Sequence, residues 1–123
     1  MKKEHGEHNR NLCDELLQKC VYTDWIITTA FYSSIHFIDH KLFPVVHNGV
    51  NLMDIDHAHK VLRKPSRHRT REFLVTLYMP GQVSNYGFLD SNCRNARYVN
   101  YKVSPSKAKV ARQRLGQLIN ACS

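Results

Sequence analysis

The densest group of chemically active side chains lies between residues 63 and 71, Arg-Lys-Pro-Ser-Arg-His-Arg-Thr-Arg. Ser66 is a suitable N-cap for a helix, and the free N–H groups at a helix N-terminus attract anions. His68 stands among arginines, whose charge disfavours its protonation, and a neutral imidazole can act as a base. The segment therefore predicts either a phosphate-binding site or simply an exposed, charged start of a helix.

A second basic group lies further along the chain at Arg94, Arg97 and Tyr98. Residues three apart lie on the same face of a helix, so we expect the two guanidinium groups to be neighbours, with an aromatic ring beside them. Such a group suits contacts to backbone phosphate and stacking on bases. It suits equally well salt bridges to acidic residues in the first half of the chain.

Histidines suggest two possible metal sites, and neither fits a known ligand pattern. His36 and His40 are four residues apart in a helical segment that also holds Tyr32, but the glutamate of a His-Glu-x-x-His motif is missing. We expect Tyr32 and His36 to form a hydrogen-bonded polar seam in the core. A second cluster, which we expect to be solvated, consists of Asp54, Asp56, His57 and His59. We predict neither a bound metal nor a cofactor.

Charge is divided unevenly between the two halves of the chain. Residues 1–59 hold five Lys or Arg against eight Asp or Glu, whereas residues 60–123 hold thirteen against two. The first part therefore has a net charge of −3 and the second a net charge of +11. This asymmetry favours an acidic partner for the second part, either RNA or an acidic protein, with the chain's own first half as the alternative.

The 123 residues and 14.3 kDa allow one domain, which we expect to span residues 1–123. The charged N-terminus has no apolar segment behind it, and the longest apolar stretch, residues 25–37, is too short to cross a membrane. We therefore expect a cytoplasmic protein with no membrane association. The four cysteines contain no Cys-x-x-Cys pair and are expected to be free thiols.

Apolar spacing predicts helices over residues 4–20, 24–42, 57–64, 66–79, 83–100 and from 105 to near the C-terminus. The second is apolar on nearly every side and belongs at the centre of the fold. The apolar residues of segment 44–56 have no regular spacing, so the segment is predicted to be an irregular connection with a turn at Asn48-Gly49. The fold class is all-α, an up-and-down bundle of four or five helices. Side chains predicted to point inward include Phe73, Leu74, Leu77, Tyr78, Tyr86, Leu89, Cys93, Ala96, Val99, Ala111, Leu115, Leu118 and Cys122.

Four short motifs resemble small prokaryotic members of the HEPN (higher eukaryotes and prokaryotes nucleotide-binding) superfamily, over roughly residues 10–120. They are Asp24-Trp25, Phe31-Tyr32-Ser-Ser-Ile-His36, His68-Arg-Thr-Arg71 and Leu89-Asp-Ser-Asn-Cys-Arg94-Asn-Ala-Arg97-Tyr98. The resemblance implies a helical bundle, a homodimer, and association with RNA or nucleotides in toxin–antitoxin, phage-defence or CRISPR-linked systems. Active members are metal-independent endoribonucleases that use an Arg and a His four to six residues later.

Arg63 and His68 match that spacing. By the resemblance, Arg63 stabilises the charge on the phosphate and His68 takes the proton of the 2′-hydroxyl. Two departures leave the alternative that the nuclease pair is absent: Lys64 replaces the small polar residue usual after the Arg, and Pro65 interrupts the helix.

Three functions remain open from the sequence. The first is a binding module for RNA or an acidic protein, the second is a metal-independent endoribonuclease, and the third is an assembly subunit with no nucleic-acid role. Phosphate loops, nucleophile elbows and zinc-finger spacings are missing from the sequence, which excludes the enzyme classes built on them. The residues predicted to contact nucleic acid are Arg63, Arg67, His68, Arg71, Arg94, Arg97, Tyr98, Lys107 and Arg114.

Overall fold

The computed structural model describes residues 2–123, in which 77% of the residues are helical. The helices are α1 (Lys2–Lys19), α2 (Thr23–Leu42), α3 (Ile55–Leu62), α4 (Arg67–Tyr78), α5 (Val83–Tyr98) and α6 (Pro105–Ala121). Two short strands, β1 (Val45–His47) and β2 (Val50–Leu52), form a hairpin between α2 and α3, and a 3₁₀ turn at Pro80–Gln82 joins α4 to α5. The predicted helical class is confirmed. Within residues 2–123, no helix has the length and apolar character needed to cross a membrane.

Helix α2 lies at the centre, as its all-round apolar character predicts. It packs against α1, α4, α5 and α6, and side chains such as Ile26, Ile27 and Ile38 are fully buried. The Thr and Ser side chains of α2 are buried as well. Each donates a hydrogen bond to a backbone carbonyl, as Thr28 does to Asp24 at 2.8 Å. The buried residues of α6, including Leu115 and Leu118, join the same hydrophobic cluster.

The N-terminal part of α1 lies unusually close to α2 at Gly6. A Cβ atom on Gly6 would come within 2.7 Å of the Phe37 ring, and the Ser33 hydroxyl donates to the Gly6 carbonyl at 2.7 Å. One residue earlier, the His5 ring stacks on His36 with 3.7 Å between centroids. The absence of a side chain at Gly6 therefore permits the contact that holds the start of α1 against α2.

Helix α4 buries a different face from the predicted one. Its buried residues are Thr70, Arg71, Leu74 and Val75, so the prediction was right for Leu74. It was wrong for Leu77 and Tyr78, which are 48% and 41% exposed. Tyr78 and the half-buried Phe73 face the hairpin instead, where His47 lies 2.6 Å from the Tyr78 hydroxyl and contacts the Phe73 ring.

The polar residues of this face are buried because they have partners. Arg71, only 5% exposed, donates to both carboxylate oxygens of Asp39 on α2, at 2.8 and 2.9 Å. Thr70 donates to the Ser66 carbonyl and lies 3.2 Å from the His59 ring of α3. Arg71 therefore anchors α4 to α2, and its predicted contact with nucleic acid is wrong because the guanidinium is buried against Asp39.

Residues 44–56 are more ordered than predicted. Asn48 and Gly49 both have positive φ, 50° and 79°, which is the backbone geometry of a two-residue hairpin turn of type I′. The strands pair antiparallel with His47 opposite Val50. The Asn-Gly signal thus marks a hairpin and not an irregular connection.

Two predicted boundaries also shift. Asp54 caps α3 by accepting from the His57 backbone N–H at 2.8 Å, so this helix begins earlier than predicted. Helix α5 ends at Tyr98, and Val99 is 79% exposed instead of pointing inward because it lies past the last turn.

The buried ion pair provides a test of the fold. Replacing Arg71 by Met should lower the free energy of unfolding by about 3–5 kcal/mol, because Asp39 is left buried without a partner. The matched control is Arg69→Met, which removes only the exposed pair with Glu72 and should cost less than about 1 kcal/mol. Urea denaturation measures both. Equal losses for the two variants would contradict the structural role given to Arg71, and the double change Asp39→Leu with Arg71→Met should recover most of the loss.

Candidate nucleic-acid interface

A pocket of about 320 Å³ opens where the start of α4 and the second half of α5 meet the middle of α2. Five of the residues singled out from the sequence lie in its walls, and they come from three helices. The lining residues are Phe31, Tyr32, His68, Asp90, Cys93, Arg94, Arg97 and Tyr98. The structure thus brings His68 of the first basic group together with Arg94, Arg97 and Tyr98 of the second, which lie more than twenty residues further along the sequence.

Local sequence explains how these side chains reach the pocket. Pro65 separates α3 from α4, and the Ser66 side chain caps α4 by accepting from the Arg69 backbone N–H at 3.1 Å. The cap starts α4 one residue before His68, which places the imidazole in its first turn. On α5, residues 90, 94 and 97 follow one another at helical spacings of four and three, so Asp90, Arg94 and Arg97 lie on one face.

His68 is half-buried and has a free ring nitrogen. Its Nδ1 is shielded from solvent and has no hydrogen-bond partner among residues 2–123, and its ring centre lies 5.8 Å from that of Phe31. Burial lowers the pKa of His68, and the positive charge of Arg71 lowers it further. Asp90 opposes this shift, while Arg94 and Arg97 add to it. His68 is therefore neutral near pH 7 and able to accept a proton or a hydrogen bond.

The two arginines on α5 differ in their partners. Arg94 donates from Nε to Asp90 Oδ1 at 3.0 Å, on its own helix. Arg97 is exposed and donates to the Tyr32 hydroxyl, with its guanidinium 5.7 Å from the Tyr32 ring centre and 5.2 Å from that of Tyr98. Neither forms an ion pair with the acidic first half of the chain within the described residues.

Arg63 does not line the pocket that contains His68. It terminates α3 in the left-handed conformation, with φ of 55°, and its N–H donates to the His59 carbonyl at 3.0 Å. The bend around Pro65 therefore separates the Arg63 side chain from the pocket. The positive groups that do accompany His68 are Arg94 and Arg97, a partnership that spacing along the sequence could not show.

The other predicted contacts lie outside this pocket. Arg67 pairs with Asp56 of α3 on the surface. Arg114 donates to Ser84 and Asn85 and lies 5.2 Å from the Phe88 ring centre, on the side where α6 meets α5. Lys107 lines a smaller pocket of about 270 Å³ beside Phe88. The basic surface therefore has at least two separate parts.

Ion pairs neutralise only part of the positive charge. Asp14, Asp39 and Asp56 of the acidic half pair with Arg112, Arg71 and Arg67. The Lys and Arg residues of the second half without a carboxylate within ion-pair distance, as far as the described residues go, are Lys60, Arg63, Lys64, Arg97, Lys102, Lys107, Lys109 and Arg114. A surplus of cations thus remains free for a polyanion.

Tyr32 and His36 do not form the hydrogen-bonded seam predicted for them, because each contacts a different part of the protein. The Tyr32 hydroxyl accepts from Arg97, and His36 stacks on His5. The Nδ1 of His36 is buried without a hydrogen bond among the described residues, and burial, followed by the neighbouring His5, lowers its pKa. These two residues therefore serve different contacts, one at the pocket and one at the α1–α2 junction.

The acidic and histidine cluster of residues 54–59 is divided among structural contacts. Asp54 caps α3, Asp56 pairs with Arg67, His57 accepts from the Met53 N–H, and His59 contacts Thr70. Within residues 2–123, no group of three or more His, Cys, Asp or Glu is arranged to hold a metal ion.

Comparison with known proteins gives no relative. No family model, curated protein or solved structure matches this chain. The geometry of the pocket is therefore the main basis for assigning a function.

The state of His68 can be measured directly. In an NMR titration its imidazole should have a pKa below the ordinary value near 6.5, because burial and Arg71 disfavour the charged form. Because the pKa of His68 is lower in the folded protein, the unfolded chain binds the proton more readily. Protonation of His68 therefore leaves the free energy of unfolding unchanged above about pH 6.5 and reduces it as the pH falls below that value. A His68 pKa at or above the ordinary value would contradict this account of the pocket.

Proposed function

We propose that this protein binds RNA, and that the pocket between α4 and α5 holds one nucleotide of the strand. The observation that supports the proposal is the convergence of His68, Arg94, Arg97 and Tyr98 on one pocket of about 320 Å³. Guanidinium groups bind phosphate oxygens, and an exposed tyrosine ring offers a stacking surface for a base. The neutral imidazole adds a hydrogen-bonding group that does not repel the two arginines.

An acidic protein partner explains the surface less well than RNA does. Carboxylate side chains would satisfy the cations, but they would leave the exposed Tyr98 ring and the neutral His68 without a matching group. The resemblance to HEPN proteins favours the same conclusion and adds an up-and-down bundle, a homodimer and a role in prokaryotic defence. Those three points stay predictions of the resemblance, and a cytoplasmic location stays a prediction from the sequence.

Binding can be tested by fluorescence anisotropy with a labelled oligouridylate. Arg94→Gln and Arg97→Gln should each weaken binding by about tenfold, because each removes a charged hydrogen-bond donor to phosphate. Each should also reduce the dependence of log Kd on log salt concentration by roughly 0.7 for each lost phosphate contact. Lys19→Gln removes one exposed charge on α1 and is the matched control. Binding that is absent, or that does not respond to salt, would contradict the proposal.

A second candidate function is metal-independent cleavage of the bound RNA. The observation that favours it is a neutral His68 next to two arginines, since a base and a stabilised phosphate are what the reaction requires. His68 would take the proton of a 2′-hydroxyl as that oxygen bonds to phosphorus. The bond from phosphorus to the 5′ oxygen breaks, and that oxygen takes a proton from water, leaving a cyclic phosphate and a 5′-hydroxyl.

Cleavage is tested by incubating the protein with single-stranded RNA in EDTA and resolving the products on a gel. His68→Ala and Arg97→Ala should each reduce cleavage by about 100-fold or more, whereas Arg63→Ala should cut like the parent because Arg63 lies outside the pocket. Intact RNA in the parent reaction would eliminate this function. If only Arg63→Ala lost activity, the pocket would be the wrong site.

A further inference from the structure

The groove between α4 and α5 continues beyond the pocket that holds His68. A second pocket, also of about 320 Å³, is lined by Glu72, Val75 and Thr76 of α4 and by Val83, Tyr86, Gly87 and Asp90 of α5. Asp90 lines both pockets, so the two are adjacent. Together they have the size of a site for one small ligand, which is commonly 300–1,000 Å³.

The chemistry of the groove changes along its length. The first pocket carries Arg94 and Arg97, and the second has carboxylates at Asp90 and Glu72 with valines beyond them. Gly87 leaves open space, because a Cβ there would meet nothing within 4 Å. A matching ligand is therefore anionic at one end and carries N–H donors and apolar surface at the other. A nucleotide has this pattern, with phosphate at one end and base at the other.

Both carboxylates have capacity for a ligand. Asp90 accepts from Arg94 through Oδ1 alone, at 3.0 Å, and an ionised carboxylate has about four acceptor positions. Glu72 is half-exposed and pairs with Arg69 at 3.3 Å on the surface. Such an exposed pair contributes little stability and can exchange for another donor.

The second pocket also has a buried donor. Tyr86 is only 2% exposed, and its hydroxyl lies beside the Arg71 guanidinium, which can donate to the phenolic oxygen but cannot accept its proton, so the O–H has no acceptor among residues 2–123. Burial raises the pKa of this phenol to about 12, so the hydroxyl keeps its proton and can donate. An unsatisfied buried donor is unfavourable, and a ligand with an acceptor would satisfy it.

We infer that the second pocket selects guanine, as the base of the nucleotide whose phosphate lies against Arg94 and Arg97. The inference rests on the proposed function and specifies which ribonucleotide the same groove prefers. Guanine presents N1–H and N2–H₂ side by side, which suits carboxylate acceptors, and its O6 can accept from a hydroxyl such as that of Tyr86. The ribose lies between phosphate and base, next to Asp90, where a carboxylate can accept from the 2′-hydroxyl.

The other bases fit this environment less well. Uracil has one ring N–H flanked by two carbonyl oxygens, which carboxylates repel. Adenine and cytosine each offer one amino group beside an unprotonated ring nitrogen, so they give a carboxylate one donor and face it with one acceptor. Guanine alone offers two adjacent donors to Glu72.

The test compares labelled oligouridylates that carry one central guanosine or adenosine, measured by fluorescence anisotropy. The guanosine strand should bind about tenfold more tightly than the adenosine strand, as expected of one paired hydrogen-bond contact to a base edge. Glu72→Gln keeps the size of the side chain but replaces an acceptor with a donor. It should reduce the ratio of the affinities for the guanosine and adenosine strands to nearly one. Glu15→Gln on α1 is the matched control and should leave the ratio unchanged.

A second measurement needs no variant. Inosine lacks the N2 amino group, so an inosine strand should bind the parent protein more weakly than the guanosine strand. RNA binding with equal affinity for all strands would overturn the guanine assignment and leave the proposed function in place. A ratio that survives Glu72→Gln would overturn the assignment to this pocket, and failure to bind any strand would overturn both proposals.

Discussion

The buried ion pair between Asp39 and Arg71 determines how the α4–α5 groove is built. Two hydrogen bonds of 2.8 and 2.9 Å hold Arg71 against α2 in the protein interior. His68 lies three residues earlier, on the adjacent turn of α4, so fixing Arg71 also fixes the imidazole over Phe31. Burial lowers the pKa of His68, and the same guanidinium lowers it further. The ion pair thus contributes both to the position of the central group in the pocket and to its protonation state.

The division of charge along the chain has both a structural and a functional consequence. Carboxylates of the first half hold α4 and α6 in place through Asp39 with Arg71 and Asp14 with Arg112. The second half has only two acids of its own, so most of its Lys and Arg residues keep no carboxylate partner in the described chain. The positive surface is formed by the cations that these ion pairs leave without a carboxylate.

The helices could be predicted from the sequence, but the contacts between residues of different helices could not. Helical periodicity and the capping residues Ser66 and Ser104 locate the long helices because both signals are local. The convergence of His68 with Arg97 depends on how α4 and α5 pack against α2, which no local pattern encodes. For the same reason the prediction from sequence paired His68 with Arg63, which is close to it along the chain. It also placed Arg71 on the surface, whereas Arg71 is buried and donates to Asp39.

The most direct test is to map the RNA contact on the folded protein by NMR, following amide and side-chain resonances as an oligouridylate with one guanosine is added. We expect the largest shifts at His68, Arg94, Arg97 and Tyr98, with further shifts at Glu72. Shifts confined to α6 around Lys107 and Lys109, with the α4–α5 groove unchanged, would contradict it.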